Sequence, residues 1–134
     1  MDALDLALRR RIFTTFAATG APPPPPAEEP TRARLRALAD RHVVVLDERM
    51  HVEMAHPFAG HTRGTRVTSG AGTWWGNCAW DGLGIVAALG LRDAELTSGG
   101  LTVAVRDGQV RDDGSVVFHV AVPARHWWDD IGFT

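Results

Sequence analysis

The sequence predicts an α+β protein: an N-terminal helical and winged-helix-like segment, followed by a small, mainly antiparallel sheet packed against helices. Three observations carry that prediction. Residues 2–19 place apolar side chains at Leu4, Leu8, Ile12 and Phe16, the spacing of one helix face. Residues 65–69, 101–105 and 116–122 are short β-rich runs separated by glycine and aspartate. Between them, residues 78–89 form an apolar stretch with Asn77 as a candidate N-cap and Gly90 as a candidate C-terminal stop.

A chain of 134 residues with 45% hydrophobic and 22% charged residues is long enough to bury a real core and belongs among soluble globular proteins. One cysteine excludes an internal disulfide framework and suits a reducing cytosol. No apolar run reaches the roughly 18 residues of a membrane span, and residues 1–19 lack a signal-peptide pattern, so a cytoplasmic location is expected. The net charge of −2 gives no general case for nucleic-acid binding. All 14 basic residues are arginine, and tyrosine is absent too, which reads first as genome composition bias.

Taken in order, residues 2–19 form an amphipathic helix with Ala3 and Phe13 beside its apolar stripe, stopped by Gly20. Arg9, Arg10 and Arg11 read as a solvated face more readily than as a phosphate contact. Pro22 to Pro26 exclude helix and make residues 21–30 a stiff, proline-rich linker. Helical period returns over residues 31–40, and residues 43–46 and 50–54 alternate as strands. Helix, helix and hairpin give residues 1–60 a winged outline, although the proline run stands where a further helix normally lies. Residues 61–134 form the second unit.

His51, His56 and His61 recur every five residues, a spacing that shares no strand face or helix face, and Pro57, Gly60 and Gly64 mark a loop. They are expected to be exposed histidines and not a zinc site. Residues 65–69 are a short strand, and residues 70–76 a glycine-rich approach lacking the lysine of a phosphate loop. Residues 101–105 alternate as a strand, Asp107 and Gly108 signal a turn, and residues 116–122 are a further strand carrying His119, more readily a hydrogen-bonded wall than a ligand. Pro123 suits the first turn of a short helix over residues 124–130, whose Trp127 and Trp128 are expected to close the core.

Residues 72–90 hold the only cysteine and three of the five tryptophans, so chemistry is expected there. Cys78 falls in the first helical turn, where unpaired N–H groups and the helix dipole lower a thiol's pKa. Asp81, three residues on, shares its face. A thiolate beside a carboxyl group is a nucleophile or soft-metal ligand beside a proton donor or acceptor. The plainer reading remains open: a lone cysteine on an apolar helix is often a small buried hydrophobe, and acidic residues favour a first turn on their own account. Gly82 and Gly84 lower helix propensity and suggest close packing or room for a ligand.

Asn-Cys-Ala-Trp-Asp-Gly-Leu-Gly-Ile, followed by Ala-Ala-Leu-Gly, resembles the segment of the organomercurial (alkylmercury) lyase family in which Cys-Ala-x-Asp opens a helix ending at Leu-Gly or Ile-Gly. Residues 116–134 are similar to the strand and helix that follow in that family, so the likeness covers the C-terminal half, whereas the first half matches only in outline. The resemblance implies protonolysis of a carbon–mercury bond, with Cys78 as the mercury ligand and Asp81 as the proton shuttle, and makes residues 61–134 the catalytic unit. It implies a small organomercurial or other soft-metal ligand as partner, and no bound cofactor. One departure stands out: family enzymes use a second cysteine just before the strand at 116–122, where this chain has Asp113, Gly114 and Ser115. Members of the family are expected to continue beyond the position of Thr134, so either altered lyase chemistry or a divergent or shortened member is expected. A small thiol from solution is therefore an expected co-ligand. Two rival readings stay open: a non-catalytic soft-metal or thiol-reactive binding protein, and a winged DNA-binding or structural domain with Cys78 in its core.

Overall fold

A computed structural model describes residues 1–133; Thr134, the end of the second expected unit, lies outside the described residues. Helix α1 (Ala3–Thr19) begins where Asp2 accepts hydrogen bonds from the Leu4 and Asp5 backbone N–H groups while Asp5 accepts from Asp2, a reciprocal cap. Gly20 ends it in the left-handed conformation, φ 72°. The helix buries Ile12 and Phe16, but Leu4 is 62% exposed, so the apolar stripe is used only from Leu8 onward. Arg9, Arg10 and Arg11 are exposed, as expected of a solvated face.

The proline run leads into α2 (Glu29–Asp40), which starts earlier than the expected residue 31 because Pro30 fits the first helical turn. Arg34 on α2 donates to Asp2 at 2.8 Å and to Asp5 at 2.7 Å, joining the start of α1 to the middle of α2. Strands β1 (Val45–Leu46), β2 (Val52–Ala55) and β3 (Phe58–Ala59) follow as a three-stranded antiparallel sheet in that order.

The larger sheet holds β4 (Thr65–Ser69), β5 (Gly72–Gly76), β6 (Ala94–Ser98), β7 (Leu101–Arg106) and β8 (Gln109–Arg111), in the antiparallel order β5-β4-β6-β7-β8. Helix α3 (Ala79–Leu89) connects β5 to β6 and packs on β4, β5 and β6. Strand β4 has the expected bounds, and the Asp107–Gly108 turn joins β7 to β8. The glycine-rich approach is itself strand β5, paired along its whole length with β4, because its glycines sit at the ends of the run and Trp74 between them is buried. Strand β6 was not expected at all.

The C-terminal segment departs furthest from expectation. Residues 116–122 form no strand among the described residues: β8 takes the free edge of β7, and the chain beyond Arg111 runs on without a sheet partner, leaving Val117 83% exposed. The expected helix over 124–130 is reduced to a 3-10 turn, Ala124–His126. Trp127 is half-buried and Trp128 is 39% exposed, so these tryptophans do not close the core.

One buried apolar cluster runs through both expected units, joining Ile12 and Phe16 of α1, Leu35 of α2, Phe58 of β3, Val67 of β4 and Ile85 of α3. Phe16 and Phe58 stack with ring centres 5.5 Å apart, and Trp74 donates its indole N–H to the Ala17 carbonyl at 3.0 Å. The strand that delivers the site is thereby fastened to the N-terminal helix.

Candidate functional site

Strand β5 ends at Gly76, and the chain turns through Asn77 and Cys78 into α3. The turn is tight: a Cβ on Gly76 would stand 2.7 Å from Asp81 Cβ. Gly82 and Gly84 serve close packing, since a Cβ on Gly82 would meet Thr65 Cγ2 at 2.7 Å and one on Gly84 would meet Pro57 Cβ at 2.9 Å. The N-cap is Cys78 itself and not Asn77, one residue later than expected, and Gly90 ends the helix in the left-handed conformation, φ 61°.

The i, i+3 pair converges as its spacing requires. The Cys78 thiol lies 3.8 Å from Asp81 Oδ2, within donating distance for sulfur, and the same oxygen accepts from the backbone N–H of Asn77 at 3.2 Å and of Cys78 at 3.4 Å. Asp81 is largely buried, its side chain 13% exposed. Its other oxygen, Oδ1, faces His56 Nδ1 at 3.4 Å.

The expected low thiol pKa is overturned. Burial pushes the Cys78 thiol above its ordinary value, and the negative charge of Asp81 adds to the rise; hydrogen bonding from the Asp81 and Trp80 backbone N–H groups pulls the other way without prevailing. The anion-favouring helix terminus is real, but its benefit is shared with the Asp81 carboxylate and is smaller than the cost of desolvating sulfur. The resting thiol therefore keeps its proton.

This shift has a readable consequence because the chain has no tyrosine and, its basic residues all being arginine, no lysine. No phenol or side-chain amine therefore titrates alongside the Cys78 thiol above neutral pH. Below the free-thiol value of about 8.5 both folded and unfolded chains keep the proton and stability is complete; above it the unfolded thiol ionises first, so stability falls until the folded thiol ionises as well. The melting temperature is expected to decline above about pH 8.5, and Cys78→Ser to remove that decline. Alkylation of Cys78 should show a midpoint above about 8.5; a lower midpoint would contradict the assignment.

The three histidines part company. His51 is exposed and pairs with Asp47 at 2.9 Å, as a loop histidine does. His61 is half-buried, and burial, aided by the Arg63 charge, lowers its pKa. His56 was expected in solvent and instead faces Asp81, with its Nε2 buried and without a hydrogen-bond partner. Sequence spacing gave no signal for it: the contact spans 25 residues and depends on how the β2–β3 turn docks on α3. Among the described residues, no three His, Cys, Asp or Glu side chains gather as a metal-ion cage.

Cys78 and Asp81 stand in the wall of a cavity of about 950 Å³. Leu83, Trp80, Phe118 and Trp127 contribute much of its apolar lining, and Trp80 and Phe118, both well exposed, lie 5.8 Å apart. The C-terminal segment covers one side: Asn77 Nδ2 donates to the Ile131 carbonyl at 3.1 Å, and Trp128 stacks on His42 at 4.0 Å. His119 lines the cavity from this segment, not from a strand. Of the positions where a second thiol was sought, Asp113, Gly114 and Ser115 are exposed and do not line the cavity, although Asp112 and Val116 on either side do. The arrangement offers a protonated thiol, a shielded carboxyl group and an imidazole beside an apolar space. Comparison with known proteins finds no family model, curated protein or solved structure that matches the chain significantly.

Proposed function

We propose that the chain is an organomercurial lyase-like protein that binds mercury through Cys78 and protonates the departing carbon through Asp81. The observation that carries this reading is the Cys78 thiol 3.8 Å from Asp81 Oδ2 in the wall of an apolar cavity. The likeness of residues 77–90 to the lyase segment supports it.

The chemistry follows from those two groups. As sulfur bonds to the mercury of a bound organomercurial cation, the thiol proton passes to the Asp81 carboxylate. A raised thiol pKa is no obstacle here, since the metal displaces the proton and the carboxylate next to it receives it. The carbon–mercury bond then breaks, its electron pair stays on carbon, and the carbon takes the proton from Asp81. The products are the hydrocarbon and mercury held by Cys78, with Asp81 again a carboxylate. Thiolate is the soft ligand that mercury, a soft metal, favours, and the apolar cavity has room for the organic group.

Release of mercury is where the missing second cysteine matters. Oxygen ligands are hard and match mercury poorly, so a small thiol from solution is the natural second ligand. Purified protein incubated with a simple organomercurial is expected to release hydrocarbon slowly by itself and much faster with excess small thiol. Full turnover without added thiol would remove the need for a second sulfur. The binding-only reading draws on the same absent thiol; it predicts mercury retained on Cys78 with no hydrocarbon formed under either condition.

A further inference from the structure

We infer that His56 is a positioning residue: it holds Asp81 Oδ1, so that the proton taken from Cys78 is carried on Oδ2, the oxygen that faces the sulfur. This inference rests on the lyase reading for its catalytic meaning, although the geometry behind it does not.

The two oxygens of Asp81 have different neighbours. Oδ2 faces the Cys78 thiol and the two backbone N–H groups that open α3, whereas Oδ1 faces His56 Nδ1 at 3.4 Å. A neutral imidazole carries its proton on one nitrogen only. If that nitrogen were Nε2, a buried N–H would have no acceptor and the Nδ1 lone pair would point at a carboxylate oxygen. With the proton on Nδ1, the ring donates to Oδ1, and what stays unpaired at the buried Nε2 is a lone pair and not an N–H donor.

The ring is also well mounted. His56 and Pro57 form the turn between β2 and β3, whose Ala55 and Phe58 are buried. Pro57 packs against Gly84, one helical turn beyond Asp81, at a distance that leaves no room for a Cβ there. Trp128 stands nearly perpendicular to the His56 ring, with centres 6.1 Å apart. The turn, α3 and the C-terminal segment thus hold the imidazole from three sides. The Asn77 and Cys78 N–H groups hold Oδ2, and His56 holds Oδ1 from the other side, so that the carboxyl keeps its orientation as its proton is taken up and delivered.

Two measurements test this. Nitrogen-15 NMR of the wild-type side chain should show His56 as the Nδ1–H tautomer, with that preference weakened in Asp81→Ala. A predominant Nε2–H tautomer in the wild type overturns the inference, whether or not the protein turns over. Kinetics with a simple organomercurial and excess small thiol form the second arm. His56→Ala should lower kcat by about 10- to 100-fold, the cost of a misplaced catalytic group, while KM stays within about twofold. His56→Asn, whose amide places a donor near the Nδ1 position, should recover most of kcat, and His56→Gln, whose amide reaches toward the Nε2 position, should not. Equal recovery by both variants, or an unchanged kcat in His56→Ala, contradicts the positioning role. A wild-type protein that shows the Nδ1–H tautomer but releases no hydrocarbon would leave the held carboxylate standing and overturn the lyase reading instead.

Discussion

Asp81→Asn is expected to lower hydrocarbon release by about 10²- to 10⁴-fold, the usual worth of a positioned general acid or base, while mercury still binds to Cys78. The asparagine keeps the size of the side chain and an oxygen able to accept from the Asn77 and Cys78 N–H groups, which cap the start of α3. The helix and the cavity wall should therefore persist. What is lost is the ability to take a proton from the thiol at 3.8 Å and return it to carbon. Measuring hydrocarbon and protein-bound mercury in the same sample separates the two steps. Equal release by the variant would exclude Asp81 from the reaction.

Phe16→Ala is expected to destabilise the protein by about 3–5 kcal/mol, the range for emptying a large aromatic site in a core. Phe16 is fully buried, stacked on Phe58, and belongs to the cluster that joins α1 to α3. Because Ala17 on the same helix accepts the Trp74 indole N–H, loosening α1 also loosens β5, the strand that leads into Cys78. Urea unfolding should show one transition, shifted as a whole, with faster alkylation of Cys78 in partly destabilised samples. Two separated transitions, or a loss below about 1 kcal/mol, would mean that residues 1–60 form a unit independent of the site.

What was legible in the sequence was local. The period of α1, its stop at Gly20, the Gly90 stop and the Asp107–Gly108 turn depend on a few neighbouring residues, and each is where the sequence places it. The approach of Cys78 and Asp81 was legible for the same reason, since helical spacing alone brings them together. What was missed depends on distant partners. Residues 116–122 have a strand's composition, yet a strand also needs a partner, and no sheet edge pairs with them among the described residues. The glycines of β5 suggested a loop, and only pairing with β4 makes the run a strand. The sign of the Cys78 shift turns on burial, which a helix-terminus argument does not contain. His56 lies 25 residues from Asp81 and enters the site only when Pro57 docks on Gly84.

In the proposed reaction the proton found on the released carbon comes through Asp81 from a thiol that has taken up the metal. A single-turnover reaction of protein with an equal amount of an arylmercury salt, without added thiol, tests it most directly by following arene formed, free Cys78 thiol and protein-bound mercury together. Arene is expected to appear as the thiol is consumed and mercury is retained, one for one, and Cys78→Ser is expected to yield none. Arene formation at the wild-type rate in Cys78→Ser, or complete loss of the thiol to mercury with no arene even when excess small thiol is then added, would contradict it.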